Sequence, residues 1–166
     1  MRPVPNLDIN CDLGEGEAPA RTRALMRLID SANVACGGHA GELASMARCA
    51  RLAREFDVRL GAHPGAPDRN NFGRMETRPS PAELALWVVQ QAGALAHVAA
   101  RFELTLHHIK LHGALYHASE ADEALARAYI GTVRDHFPGT VIYSLSGGRV
   151  ARMARKMGDE AKPMPS

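Results

Sequence analysis

Residues 7–16 have the sequence LDINCDLGEG, a short stretch in which polar side chains recur at every second position. The pattern predicts a β-strand that ends in the turn Gly14-Glu15-Gly16. Asp8, Asn10 and Asp12 alternate along it, so their side chains share one face. Three polar side chains on a buried face cost several kcal/mol unless they bind something. The stretch therefore predicts a ligand or metal site, with a solvated edge strand as the alternative.

Strands and helices alternate along the rest of the chain. Strand-length apolar runs occupy residues 7–13, 32–36, 58–62, 104–111 and 140–145, and helical periodicity occupies residues 22–30, 43–56, 81–102, 121–136 and 149–157. Ser80 is predicted to cap the third helix, with Glu83 at capping-box spacing. This order predicts an α/β fold with a parallel sheet and right-handed crossovers. We expect one domain over residues 1–157 and a frayed, aperiodic tail over residues 158–166.

The composition argues against several classes of protein. The 166 residues carry 20 basic and 18 acidic side chains, a balance that does not favour a nucleic-acid partner. No stretch approaches the roughly 18 apolar residues of a membrane span, and the first ten residues lack the apolar centre of a secretory signal. Three cysteines without a CxxC pair make a disulfide framework or structural zinc site unexpected. A cytoplasmic location is the resulting expectation.

Polar side chains concentrate where the predicted strands end. They are Glu15 after the first strand, Asn33, Cys36 and His39 on and after the second, His63 after the third, and His108, Lys110 and His112 on and after the fourth. The carboxyl ends of parallel strands share one edge of a sheet, where α/β enzymes place their active sites. Glu15 is either a reacting carboxylate or a solvated loop residue. Cys36 is either a nucleophile or, more commonly for cysteine, inert core packing.

A polar loop over residues 65–78 adds two candidates, Asn71 and Arg74. Arg74 has a side chain suited to hold a carboxylate or phosphate through two parallel hydrogen bonds. The alternative is a loop arginine that pairs with Asp68 or Glu76. The sequence contains no GxxxxGK[ST] phosphate loop, GxGxxG fingerprint, GxSxG elbow or HExxH motif.

Five segments, in order along the chain, resemble one known family. They are residues 8–15 (DINCDLGE), 31–41 (SANVACGGHAG), 61–64 (GAHP), 67–74 (PDRNNFGR) and 108–116 (HIKLHGALY). Together they resemble the family of the 5-oxoprolinase A subunit, also called LamB/YcsF-like. The resemblance implies ATP-dependent opening of 5-oxo-L-proline to L-glutamate, with ATP as cofactor and two partner subunits, B and C.

The same resemblance implies a parallel (β/α) barrel-like fold, similar to the glycoside hydrolase/deacetylase superfamily. The chain is shorter than members of that family, so we expect an incomplete barrel with about five of seven strands. An incomplete barrel exposes sheet edges, which a second copy of the chain would cover in a homodimer.

Residue chemistry then suggests roles within the implied reaction. For catalysis we expect Asp12, Glu15, Lys110 and His112, with Asp12 or Glu15 as general base and Lys110 and Arg74 neutralising phosphate charge. For substrate binding we expect Asp8, Asn10, Asn33, His39, Asn71, Arg74 and His108. A divalent metal is expected either as Mg²⁺ with ATP or as an ion held by His39, His63 and Asp12. Two alternatives remain: a metal-dependent amidase or deacetylase-like hydrolase without nucleotide, and a non-catalytic truncated homologue that binds partner subunits.

Overall fold

A computed structural model describes residues 7–158 and the backbone of residues 161–164. Within these residues the chain forms one parallel sheet with strand order β1-β2-β3-β4-β5-β6. The strands are β1 (Asn10–Leu13), β2 (Ser31–Ala35), β3 (Arg59–His63), β4 (His108–Lys110), β5 (Val141–Leu145) and β6 (Ala161–Met164). The helices are α1 (Pro19–Met26), α2 (Leu43–Phe56), α3 (Pro81–Ala100), α4 (Gly113–Ala121), α5 (Glu123–His136) and α6 (Arg149–Lys156). The predicted α/β fold with a parallel sheet is confirmed.

The sheet is strongly curved, as the barrel-like expectation requires. Lys110 Nζ on β4 lies 2.8 Å from Asp12 Oδ1 on β1. Tyr143 Oη on β5 lies 3.3 Å from Ser31 Oγ on β2. Strands three positions apart in a flat sheet would be separated by about 14 Å. The sheet must therefore curve, and these two contacts span its concave inner face.

Alternation along each strand separates this polar inner face from an apolar outer face. Asn33, His63 and His108 point inward, whereas their neighbours Val34 and Ile109 are fully buried in the hydrophobic core. Because every crossover runs in the same direction along the sheet, the helices pack on the outer face. The fold therefore presents polar groups from four strands to one concave surface.

Helix α3 shows how local sequence signals place the outer layer. Ser80 and Glu83 form the predicted capping box: Ser80 N donates to Glu83 Oε2 at 2.8 Å, and Glu83 N donates to Ser80 Oγ at 3.2 Å. Leu84, Val88 and Leu95 recur at helical spacing and are fully buried.

In the described part of the chain, no helix combines the length and apolar character needed to cross a membrane.

The structure corrects two expectations about the elements. The frayed tail predicted for residues 158–166 is interrupted by β6, which pairs in parallel with β5; residues 159–160 and 165–166 lie outside the described residues. The edge of β5 has backbone N–H and C=O groups that can pair with a further strand. Pro163 has no backbone N–H to donate, and an edge strand such as β6 tolerates this loss. Helix α4 was not predicted; Asp122 separates it from α5 by accepting hydrogen bonds from Ala124 N and Leu125 N.

The sheet remains incomplete as a barrel. In the residues that the structure describes, β1 and β6 form the two edges of the sheet. This agrees with the expectation of an incomplete barrel-like fold.

Candidate active site

Glu15 lies in the turn directly after β1, and a second carboxylate fixes the backbone of that turn. Glu17 accepts hydrogen bonds from Gly14 N and Glu15 N, both at 2.8 Å, and from Thr22 Oγ1 at 2.9 Å. Burial opposes ionisation of Glu17, but these donors outweigh it and hold its pKa below the ordinary value. The Glu15 side chain is thereby directed away from solvent and remains about 20% exposed.

The loop after β2 delivers His39 to the same place. Gly41 has φ +89°, and a Cβ there would overlap the carbonyl of Ala35. A Cβ at Gly38 would overlap the carbonyl of Gly65. Only glycine permits this close approach of two loops. The result is a buried His39 whose Nε2 lies 2.8 Å from Glu15 Oε1.

His63 and His112 complete a four-residue cluster with Glu15 and His39. His63 Nδ1 lies 2.8 Å from the carbonyl oxygen of Lys110, and His112 Nε2 lies 2.9 Å from that of Phe72. The remaining nitrogens of these two rings, His63 Nε2 and His112 Nδ1, face each other at 3.0 Å. Glu15 Oε1 lies 3.6 Å from His112 Nδ1 and 3.9 Å from His63 Nε2. Glutamate and imidazole groups at this spacing form a candidate metal site.

Ring packing fixes the orientation of the cluster. The His39 and His112 rings stack with centroids 3.5 Å apart and an interplanar angle of 4°. Phe72 contacts both rings edge-on, at 5.2 Å and 5.3 Å between centroids. Burial lowers the pKa of His39, and burial together with the neighbouring His63 and His39 rings lowers the pKa of His112 to about 4. These shifts favour the neutral form of both rings, in which one nitrogen of each can act as a ligand or proton acceptor.

A second network lies below this cluster and holds Asp12. Asn33 Nδ2 donates to Asp12 Oδ1 at 2.8 Å and to Asn10 Oδ1 at 2.9 Å, and its Oδ1 accepts from His108 Nε2 at 2.7 Å. Lys110 Nζ donates to the same Asp12 oxygen at 2.8 Å. Burial opposes ionisation of Asp12, but the hydrogen bond and charge of His63 and the Lys110 ammonium hold its pKa well below the usual range.

This network gives the two carboxylates expected as general base different surroundings. A carboxylate whose pKa is lowered in this way accepts a proton less readily than an ordinary aspartate. The place of Asp12 is that of a fixed negative charge that positions Lys110. The Glu15 carboxylate is oriented by His39, whose Nε2 lies 2.8 Å from Glu15 Oε1.

Burial also decides the role of the cysteines. The pKa of the Cys36 thiol is raised to about 12, because its burial disfavours the thiolate. Burial likewise raises the pKa of Cys49 to about 12. Cys36 therefore packs in the core, and the nucleophile alternative is not supported.

The remaining predicted substrate-binding residues lie apart from the cluster. Asp8 precedes β1, at the amino end of the sheet, where it accepts a hydrogen bond from Tyr143 Oη at 2.6 Å and pairs with Arg59 at 3.3 Å. Asn71 is exposed and donates to Asp68 Oδ1 at 3.0 Å. The exposed Arg74 guanidinium lies 5.1 Å from the centre of the Phe72 ring, at the rim of a cavity of about 640 Å³ that also contacts His117.

Sequence reasoning missed two residues that support the site. Glu17 fixes the turn that carries Glu15. Gln91 on α3 holds the turn after His63: its Oε1 accepts from Gly65 N at 3.0 Å and its Nε2 donates to Gly65 O at 2.8 Å. A signal for Gln91 existed, because it is a polar residue on the otherwise apolar buried face of α3.

Known proteins resemble the chain in both sequence and structure. The sequence profile of the LamB/YcsF family matches residues 7–163. The chain is 43% identical over 157 residues to the A subunit of 5-oxoprolinase from Bordetella pertussis, a match that covers 93% of this chain and 62% of that protein. It is 43% identical over 155 residues to the corresponding 5-oxoprolinase protein of Pyrococcus horikoshii, covering 92% and 61%.

A solved structure agrees with these relatives. The crystal structure of a lactam utilization protein from Thermus thermophilus matches with a TM-score of 0.87 and 39% identity, covering 93% of this chain and 64% of that one. The chain thus spans less than two thirds of the length of these relatives. It belongs to the LamB/YcsF family.

Proposed function

We propose that this chain is a component of a lactam hydrolase that opens 5-oxo-L-proline to L-glutamate. One observation carries the proposal: Glu15, His39, His63 and His112 come from four separate segments, and one nitrogen or oxygen atom of each lies within 4.8 Å of the others. These four residues lie in the segments that resemble the family of the 5-oxoprolinase A subunit. The names of the relatives point to the same reaction.

The chemistry of ring opening matches the groups present. Water adds to the lactam carbonyl carbon, the ring C–N bond breaks, and the nitrogen takes a proton to become the amine of glutamate. Glu15 would take the proton from the attacking water. Lys110, whose side chain is about 17% exposed, would stabilise the negative charge that develops on the carbonyl oxygen.

The ATP requirement is part of the proposal and concerns the assembled enzyme. Amide resonance makes a five-membered lactam a poor electrophile, and transfer of the terminal phosphoryl group of ATP to its oxygen, with release of ADP, would remove that resistance. Addition of water and cleavage of the C–N bond would then leave an acyl phosphate, which a second water hydrolyses to glutamate and inorganic phosphate. Lys110 would supply positive charge at the site, Arg74 would supply it from the outer side of the Phe72 ring, and Mg²⁺ would accompany the nucleotide. Subunits B and C are the proposed partners, and the cytoplasm, where ATP is supplied, is the proposed compartment. Self-association through the exposed sheet edges stays a prediction for light scattering to test.

A second candidate is a metal-dependent amidase or deacetylase-like hydrolase that uses no nucleotide. The cluster of one glutamate and three histidines favours it, since such groups bind hydrolytic metals and activate water. The two candidates differ in whether glutamate formation requires ATP and the partner subunits.

Reconstitution of the chain with subunits B and C separates them. Glutamate release from 5-oxoproline is measured with and without ATP, and with each partner omitted in turn. The proposal predicts release that needs ATP and the partner subunits. Release by the isolated chain without nucleotide would favour the amidase candidate. If no mixture that contains this chain releases glutamate, but the same mixture does so when a longer family member replaces the chain, the result favours the non-catalytic homologue.

A further inference from the structure

The geometry of His63 and His112 requires a positive charge between them. Each ring faces a backbone carbonyl with one nitrogen, and a carbonyl can only accept a hydrogen bond. The N–H of each neutral ring is therefore on the carbonyl side. His63 Nε2 and His112 Nδ1 then bring two lone pairs to within 3.0 Å of each other. Two facing lone pairs repel, so a proton or a metal ion must lie between them.

The surrounding charges favour a divalent ion over a proton. Glu15 Oε1 lies 3.6 Å and 3.9 Å from the two facing nitrogens, and Asp12 Oδ2 lies 3.3 Å from His63 Nε2. Two carboxylates thus approach the position, and among the residues that the structure describes the Lys110 ammonium pairs with one of them. A single proton on His63 can be donated to only one acceptor at a time, whereas an ion contacts all of them together.

The distances also fit a tetrahedral ion. Bonds of about 2.0–2.2 Å from a central ion to nitrogen or oxygen place neighbouring ligands about 3.3–3.6 Å apart. The three separations among Glu15 Oε1, His63 Nε2 and His112 Nδ1 are 3.0, 3.6 and 3.9 Å, which bracket that range. Imidazole with one carboxylate suits zinc and its neighbours cobalt and nickel rather than magnesium.

The outer hydrogen bonds distinguish ligands from supporting residues. A metal-bound histidine donates its other N–H to a carbonyl or carboxylate. His63 and His112 meet this condition through Lys110 O and Phe72 O. His39 does not, because its Nδ1 is buried without a hydrogen-bond partner among the described residues. With the proton on Nε2, His39 instead donates to Glu15 at 2.8 Å and orients that carboxylate.

We propose that His63 Nε2, His112 Nδ1 and Glu15 Oε1 bind one divalent ion of the zinc type, with a fourth position open to water or the lactam oxygen. The other carboxylate oxygen of Glu15, Oε2, is left to take the proton from the attacking water in the proposed reaction. His39 is a positioning residue for Glu15, and Asp12 holds Lys110 beside the ion. This set differs from the sequence-based one of His39, His63 and Asp12. The inference rests on the proposed function only for the ion's role, which is to polarise the lactam carbonyl; binding itself needs no turnover.

Titration of the chelator-treated 166-residue chain tests the proposal. Zn²⁺ is added in a calorimeter, and Co²⁺ is added in parallel because its visible spectrum reports the coordination geometry. We expect one ion per chain. Glu15→Gln and His112→Gln should weaken Zn²⁺ binding by more than about 100-fold and change the Co²⁺ spectrum, since each removes a ligand. His39→Gln keeps an N–H donor, so it should weaken binding by only about 10–100-fold and leave the spectrum intact.

Controls keep the result interpretable. His136→Gln, at an exposed position on α5, should leave stoichiometry and affinity unchanged. Thermal unfolding of each metal-free variant shows whether it folds. If His112→Gln does not fold, the conclusion rests on Glu15→Gln, which has nearly the same shape as wild type.

Three outcomes would overturn the inference. Absence of Zn²⁺ and Co²⁺ binding to folded wild-type protein would mean that a shared proton occupies the position. A His39→Gln variant that loses the ion as completely as Glu15→Gln would mean that the ligand set is wrong. Unchanged binding in Glu15→Gln would place the ion elsewhere. One ion bound as described, with no lactam hydrolysis in the reconstituted enzyme, would support the inference and contradict only the proposed function.

Discussion

Replacement of Asn33 by leucine tests the network that holds Asp12 beneath the candidate active site. Asn33 is fully buried, and its amide makes three hydrogen bonds, to Asn10, Asp12 and His108. Leucine has a similar volume and none of these polar atoms. The substitution leaves the N–H of the fully buried His108 without an acceptor, which costs about 1–3 kcal/mol. It also removes a hydrogen bond to a charged acceptor, worth about 1.5–3 kcal/mol.

The two losses together predict a fall of about 3–5 kcal/mol in the free energy of unfolding. For a chain of this size, that lowers the melting temperature by about 6–20 °C. Urea unfolding followed by circular dichroism measures the change. Asn70→Leu, at an exposed loop position, is the matched control and should stay within about 0.5 kcal/mol of wild type.

A double-mutant cycle with His108→Leu makes the prediction specific. Burial, together with the charge of His107, lowers the pKa of His108 to about 3, so its ring is neutral and the lost interaction is a hydrogen bond rather than an ion pair. With both partners apolar, no buried polar atom of this pair is stranded. The double variant should therefore be about 1–3 kcal/mol more stable than the sum of the single effects predicts. Additive effects would refute the claim that the two side chains depend on each other.

Three further predictions follow from the contacts of the site. Gly61→Ala places a methyl group against the ring of His108 and should destabilise the fold by about 1–3 kcal/mol in urea unfolding. Gly93→Ala on α3 adds a Cβ that meets nothing within 4 Å, so it should stabilise the fold by about 0.5–1 kcal/mol. Equal effects of the two substitutions would contradict this prediction. The pKa of Glu17 is lowered in the folded protein, so the stabilisation by its carboxylate is present above its ordinary pKa of 4.5 and is lost as the pH falls through the lower folded value. The difference in free energy of unfolding between wild type and Glu17→Gln should therefore shrink below pH 4.5, and a constant difference would exclude an ionic role. Lys110→Met should lower the rate of glutamate release by about 10²–10³-fold through loss of electrostatic stabilisation, and an unchanged rate would remove this residue from the mechanism.

Sequence alone predicted that two pairs of polar side chains lie on the inner face of the sheet. The alternation of Asn10 and Asp12, and of His108 and Lys110, put each pair on one face of a strand, and the structure shows them on the inner face. The positions of Glu15 and His63 just beyond strand ends likewise predicted the edge where they meet. Local periodicity is sufficient for such inferences, because it depends only on strand geometry.

Sequence could not predict which of these groups touch. The pairing of Lys110 with Asp12 depends on sheet curvature, which brings β4 to β1 and which no local pattern encodes. Asp8 shares a strand face with Asp12, but four residues of strand separate them by about 13 Å, so it lies at the opposite end and binds Tyr143. Strand β6 was missed because four residues that include a proline carry no periodic signal.

The rate of glutamate release by the Glu15→Gln variant, in the enzyme reconstituted with subunits B and C and ATP, tests the central claim most directly. The variant preserves size and hydrogen-bonding capacity while removing the negative charge at the centre of the histidine cluster. We expect a rate about 10²–10⁴-fold below that of wild type, with unchanged folding and unchanged assembly with the partners. A Glu15→Gln enzyme that releases glutamate at the wild-type rate would show that the chemistry occurs elsewhere.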